Sequence, residues 1–346
     1  MKVRPFIAAA AIGALGVPLT ASAQSSVTLY GEIDTGIQYL THAGPNGIGN
    51  QLSMSTGSRQ PTFFGIRASE DLGGNTSAIV NLSSVFNSND GSQFIPGVMF
   101  SNEAYVGLSN PAYGTLTAGR HFSVLFDNTI IYDASYFAKY SVFSDNFIPA
   151  ENFWIDNSIK YKSPEFVGVS GELLYKFGGV AGDNQAGRVI EASLKYASGG
   201  FMGSATYSGS NGGAGMGTSS EKDTRIAVGA KYTFSSVTIS GGYENISGSL
   251  ALSPPGCTYF GGIGYQVSPA LNLNAEVYRY DYRGSSSSAT GYVGTASYSL
   301  SKRTTLYFLA GMVDNRGLAN FGLNPYTTTG TGKSQLGITM GILHLF

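Results

Sequence analysis

Apolar residues recur at every second position along most of the chain, and this alternation bounds what the chain can fold into. Val27, Leu29, Ile33 and Ile37 share one parity, while Thr28, Tyr30, Glu32 and Asp34 share the other. The pattern returns at 226–232, where Ile226, Val228, Ala230 and Tyr232 fall in step, and again at 237–243, 271–277 and 292–300. A period of two gives a strand one apolar and one polar face. About sixteen such segments can be marked. They lie near 26–39, 62–71, 75–86, 98–109, 114–122, 153–163, 167–178, 188–198, 201–209, 224–234, 237–246, 258–268, 271–282, 291–300, 304–313 and 334–346. No stretch of 12 or more residues keeps a helical period.

The connections alternate in length. Short ones, at 71–74, 110–114, 163–165, 198–200 and 268–269, alternate with long polar ones at 41–61, 123–152, 210–223, 248–255 and 314–333. Short turns at one end and long loops at the other describe a closed barrel of the bacterial outer-membrane kind. Closure removes the unpaired strand edges that hydrocarbon does not tolerate. The expected fold is therefore all-β: a sixteen-stranded antiparallel transmembrane β-barrel whose apolar parity faces lipid. A lumen that wide is not filled by its own wall side chains and holds water.

Composition separates this reading from its rivals. Only 12% of residues are charged, against about 25% in soluble domains, so a β-sandwich with a charged exterior fits poorly. The formal charge of −1 removes the electrostatic footprint of a nucleic-acid binder. Past residue 23 no run of about twenty apolar residues supplies a membrane helix. One cysteine, Cys257, excludes a disulfide framework, and no Cys/His spacing suits a metal. The glycine-rich segments 212–217 and 261–264 do not open helices, so they do not cradle phosphate, and no cofactor is expected.

The first residues read as an address. Lys2 and Arg4 precede an apolar run from 6 to 19, followed by Ala21-Ser22-Ala23, which is a signal-peptide pattern cleaved after residue 23. Losing Lys2 and Arg4 takes the formal charge from −1 to −3. Residues 24–346 are expected to form a single barrel domain.

Several stretches then resemble a family. Gln24-Ser25-Ser26-Val27-Thr28-Leu29-Tyr30-Gly31 is similar to the mature start of general porins of β-proteobacteria. In the same order follow Gly65-Ile66-Arg67-Ala68-Ser69-Glu70-Asp71-Leu72-Gly73-Gly74, Ala104-Tyr105-Val106-Gly107-Leu108 and Gly114-Thr115-Leu116-Thr117-Ala118-Gly119-Arg120. Asn157-Ser158-Ile159-Lys160-Tyr161-Lys162-Ser163-Pro164 and Leu300-Ser301-Lys302-Arg303-Thr304 complete the set. The resemblance implies a homotrimeric diffusion channel for ions and small hydrophilic solutes, set in outer-membrane lipid and lipopolysaccharide. It implies a third long loop folded inward, and a terminal Phe346 read by the barrel-assembly machinery.

Candidate pore residues follow from parity and from that resemblance. Arg67 lies opposite Phe64 and Ile66, and Lys160 and Lys162 lie opposite Ile159 and Tyr161, so all three are expected to point inward. Arg120 ends a strand beside the inward loop. Asp127 and Asp133 match the acidic positions of the family's loop. Opposed charges across a constriction sort small solutes by charge and dipole, so the expected constriction sets Arg67, Arg120, Lys160 and Lys162 against Asp127 and Asp133. Departures from the family pattern, Phe63 and Asn102 in place of arginines and Leu343 and Leu345 beside His344, leave fewer lumen cations. Weak selectivity with a slight cation lean is expected. A solute-specific channel or receptor, stacking solutes on Trp154, Tyr132, Tyr136 and Tyr140, is the alternative. A barrel lipase built on His344 is a distant third, because no Gly-x-Ser-x-Gly elbow accompanies it.

Overall fold

The computed structural model describes residues 25–142, 153–213, 217–250, 255–324 and 327–346. The proposed signal peptide, residues 1–23, lies outside them. Strand β1 (Ser26–Leu40) pairs with β17 (Gln335–Leu345) from Glu32↔Leu345 to Leu40↔Gly337, which closes the sheet on itself. On its other edge β1 pairs first with β3 (Phe63–Asp71) and then with β2 (Gln51–Thr56), so these two short strands make one wall between them. From β4 (Ser77–Val85) to β17 each strand is antiparallel to the next, giving sixteen walls.

The broken wall departs from the expected loop at 41–61. Gln51–Thr56 is a strand of six residues, too short to stand out, with Leu52 and Met54 outward and Ser55 inward. Residues 57–62 then leave the sheet, and the buried Asp34 carboxylate holds them by accepting from the amides of Arg59 (2.6 Å) and Gln60 (2.8 Å). Tyr307 of β16 (Thr304–Arg316) donates to the same carboxylate at 2.5 Å. In a second departure, β5 (Glu103–Asn110) begins later than position 98, because Ser101 turns in to accept from the Val85 amide at 3.0 Å.

Outside, the apolar parity is exposed along every wall: Val27, Leu29, Ile33 and Ile37 on β1, and Leu336, Met340 and Ile342 on β17. Each such side chain gains about 1.5–3 kcal/mol on leaving water, and lipid supplies that transfer. Tyr196, Tyr232 and Tyr298 stand outward near the short turns, where an aromatic girdle meets the interface. Phe346 ends the chain at the seam, donating its amide to the Gly31 carbonyl at 3.0 Å.

The interior is less wet than alternation alone suggests. On β14 (Leu271–Tyr282) to β17 the inward set includes Tyr278, Tyr280, Tyr307, Leu309, Val313 and Leu343, all buried. They pack with Ala138, Tyr140 and Val142 from the long segment that follows β6 (Gly114–Phe122). That segment is the third long loop, and its described residues, 123–142, lie inside the barrel.

Candidate functional site

The inward loop starts on a short helix, α1 (Val124–Thr129). Ser123 caps it, its Oγ accepting from the Phe126 amide at 2.9 Å. Glu191 of β9 (Val189–Ser198) adds a carboxylate at the positive end of the helix, accepting from the Val124 amide at 2.5 Å. Val124 packs with Ile155, Leu174 and Val189 of the wall.

One turn further along α1, on the same face as Val124, Asp127 meets the wall. Its Oδ2 accepts from Lys160 Nζ at 2.5 Å and from Lys162 Nζ at 3.0 Å, both on β7 (Trp154–Lys162). Glu172 of β8 (Val169–Lys176) stands 3.6 Å from Lys160 and 3.5 Å from Lys162. Burial raises the Asp127 pKa, and the two ammonium groups more than offset it, so this carboxyl sits below the ordinary aspartate range. Two lysines and two carboxylates thus rivet the helix to the barrel.

Arg120 and Asp133 are placed elsewhere. The Arg120 guanidinium pairs with Asp156 and donates to the Ser101 carbonyl at 2.9 and 2.7 Å, and it lies 5.6 Å from the Trp154 ring centroid. A bulge between Gly119 and His121 disturbs the alternation just there. Asp133 is buried and serves the loop's own backbone. It accepts from the Ser135 amide (2.7 Å), the Ser135 hydroxyl (2.6 Å) and the Phe137 amide (2.8 Å).

Tyr132 and Tyr140 are pegs and do not form a stacking ladder. Both are buried. Tyr140 accepts from Gln38 Nε2 at 2.8 Å, shares a hydrogen bond with Thr339 at 2.6 Å, and its ring fills the space a side chain at Gly311 would need. Tyr132 covers Gly229 in the same way, its ring lying where a Cβ would stand. The wall glycines are the seats of the loop. Of the three tyrosines only Tyr136 is exposed. His344 stands outward, with Nδ1 2.9 Å from the Thr304 hydroxyl.

Between the loop and the walls β1–β6 remains a cavity of about 940 Å³. Arg67 faces it, its guanidinium 3.8 Å from the Tyr30 ring centroid. Glu32 and Glu103 line the same side, and Lys139 of the loop lines the other. Lys139 Nζ donates to Ser55 Oγ (2.7 Å) and the Thr56 carbonyl (2.8 Å). Burial draws its pKa down to about 8, against the pull of Asp34. Lys139, Glu172 and Glu191 are absent from the constriction expected on sequence grounds. Glu172 and Glu191 are legible by parity, standing opposite Leu173 and Ile190, but Lys139 lies on a loop that has no period.

Known proteins agree with this architecture. "Outer membrane porin protein 32" of Delftia acidovorans is 28% identical, over 99% of this chain and 99% of its own length. An outer membrane porin protein of Bordetella pertussis is 28% identical over 72% of this chain and 69% of its own length. Among solved structures, the anion-selective porin from Comamonas acidovorans shares the fold at a TM-score of 0.82 and 24% identity, covering 93% of this chain and 100% of that one. OmpT of Vibrio cholerae, solved in a trimer form, shares it at 0.69 and 17% identity, over 93% of this chain and 99% of that one. Residues 8–318 match the Gram-negative porins as a family, and the chain belongs to that family as an outer-membrane porin.

Proposed function

We propose that the inward loop sets the width and charge of the diffusion path through this porin, and that three copies assemble side by side in the outer membrane. The observation that carries the reading is the loop's position: riveted through Asp127 to Lys160 and Lys162, it leaves an open space along β1–β6. Arg67, Glu32 and Glu103 line one side of that space and Lys139 of the loop the other, two basic and two acidic side chains. Balanced charges of this kind give weak selectivity, and the mature formal charge of −3 supports a slight cation lean. The trimer rests on likeness to relatives such as the OmpT trimer form. Surrounding lipopolysaccharide and delivery by the barrel-assembly machinery through Phe346 belong to the same reading.

Planar-bilayer recording tests it. Conductance steps are expected in multiples of three, with a small reversal potential of cation sign across a KCl gradient. Strong anion selectivity would overturn the charge assignment, and closure of each inserted unit in one step instead of three would overturn the trimer.

Lys139 adds a pH dependence whose sign follows from its burial. Its pKa, about 8, is depressed below the free-lysine value. The ammonium is therefore present below about pH 8 and lost above it, while unfolded chains keep theirs to about pH 10. The cost of burying the charge falls on the folded state below pH 8 and is relieved as the pH rises through that value. Between about pH 7 and pH 9 the path loses a positive charge, so the reversal potential moves in the cation direction. Lys139→Met is expected to remove most of that shift, and a shift undiminished in the variant would show that another group carries it.

A further inference from the structure

The cavity beside the loop has a composition that passive passage of hydrophilic solutes does not require. Ten of the residues lining it are aromatic. Phe126 is the hub of one cluster, with ring centroids 4.7 Å from Phe153, 5.1 Å from Phe122 and 5.3 Å from Phe137. Trp154 continues the cluster, 5.8 Å from Phe153 and 6.2 Å from Phe94. Phe94, Phe122, Phe126, Phe137 and Trp154 are only half-buried, so they present ring surface to the channel interior. Apolar ring surface facing water is costly, at about 25 cal/mol per Å², and a solute with a flat apolar face recovers that cost by covering it.

The charge that shares the cavity with these rings decides which solute. Among the described residues Arg67 has no carboxylate within ion-pair distance, whereas Arg120, Lys160, Lys162, Arg225 and Arg279 each have one. Its guanidinium plane rests on Tyr30, which leaves the N–H edge free to form two parallel bonds to a carboxylate. Arg67 is also the most exposed charge of the cavity. Glu32 and Glu103 are half-buried, and Glu103 already accepts from Asn81 at 2.8 Å. We propose that the cavity formed by the Phe126–Trp154 ring cluster and Arg67 is a binding site for small aromatic carboxylates, which stack on the rings while Arg67 holds the carboxylate. This rests on the channel reading above and adds a solute class to it. About 940 Å³ is ample for a one-ring acid, within the usual range of ligand pockets.

Trp154 is the only tryptophan of the chain and lies in the site, so its fluorescence reports occupancy directly. The full mature chain in detergent micelles is titrated with para-nitrobenzoate, a quenching aromatic carboxylate. Saturable quenching is expected, uncompeted by acetate. Arg67→Gln is expected to raise the half-saturation concentration about tenfold, the size of one charged hydrogen-bonded contact, and Arg67→Lys to recover part of it. Phe126→Leu, which keeps the apolar bulk of the loop, is expected to weaken binding about threefold. Quenching that is linear and equal in all variants overturns the proposal, as does tighter binding of para-nitrobenzylamine than of para-nitrobenzoate. Conductance steps in KCl alone test the channel reading separately. A protein that conducts but quenches linearly has the pore and lacks the site.

Discussion

Replacing residues 124–142 with a short Gly-Ser linker is expected to raise the single-channel conductance about threefold, because a sixteen-stranded barrel without its plug encloses a wide aqueous lumen. The walls do not need the loop in order to close. The seam runs through the backbone ladder from Glu32↔Leu345 to Leu40↔Gly337, and β6 and β7 still pair from Thr115↔Lys162 to Gly119↔Ser158. What the excision removes is the inner partner of Tyr278, Tyr307, Leu309 and Val313, together with α1 and its rivet to Lys160. Those four side chains would then face water, a loss of packing that the barrel ladder outweighs. Heat-dependent gel mobility would verify that the excised protein still forms a barrel. A folded variant with unchanged or lower conductance would show that the loop does not narrow the path.

The barrel was legible in the sequence because lipid enforces a simple rule. Outward positions in the hydrocarbon band must be apolar, so Val27, Leu29, Ile33 and Ile37 declare their strand without help from tertiary contacts. The inward direction of Arg67, Lys160 and Lys162 follows from the same parity. The rule fails wherever backbone leaves the ladder. At Arg120 the bulge beside Gly119 breaks the count, and the guanidinium turns to Asp156 and Trp154. Asp133 matches an acidic position by resemblance, yet its loop needed a carboxylate to tie Ser135 and Phe137, and that local demand uses both of its oxygens. The apolar inner half had a signal that parity alone obscures. Leu306 to Val313 is apolar on both faces apart from Gly311, as a strand buried on both sides must be. Gly311 itself marks where Tyr140 sits. The ring cluster had none, since Phe126, Phe137 and Phe153 are brought by the folding of a loop to Phe122 and Trp154 at the ends of β6 and β7.

Lys160→Met and Lys162→Met are expected to differ sharply, although both lysines bond the same oxygen of Asp127. The Lys160 side chain is 4% exposed and that of Lys162 is 49% exposed. Removing the buried Lys160 leaves Asp127, itself 21% exposed, with Lys162 as its remaining partner, at a cost on the order of 3 kcal/mol. A half-exposed pair contributes 1 kcal/mol at most, roughly, because solvent screens it. Lys160 also donates to the Phe122 carbonyl at 2.9 Å, where the chain leaves the wall for the loop, so its loss loosens the hinge as well as the rivet. With Lys160 gone, Asp127 and Glu172 share one half-exposed lysine, and repulsion between them favours lifting α1 off the wall. Hydrogen exchange at the amides of 124–129 measures this. At about 3 kcal/mol, local opening in Lys160→Met is expected to speed exchange there more than a hundredfold. Lys162→Met should change it by about fivefold or less. Bilayer recordings of Lys160→Met should show added open-channel noise as the loop fluctuates in the path, and those of Lys162→Met should not. Equal effects from the two substitutions would mean that Lys160 is not the buried anchor of the loop.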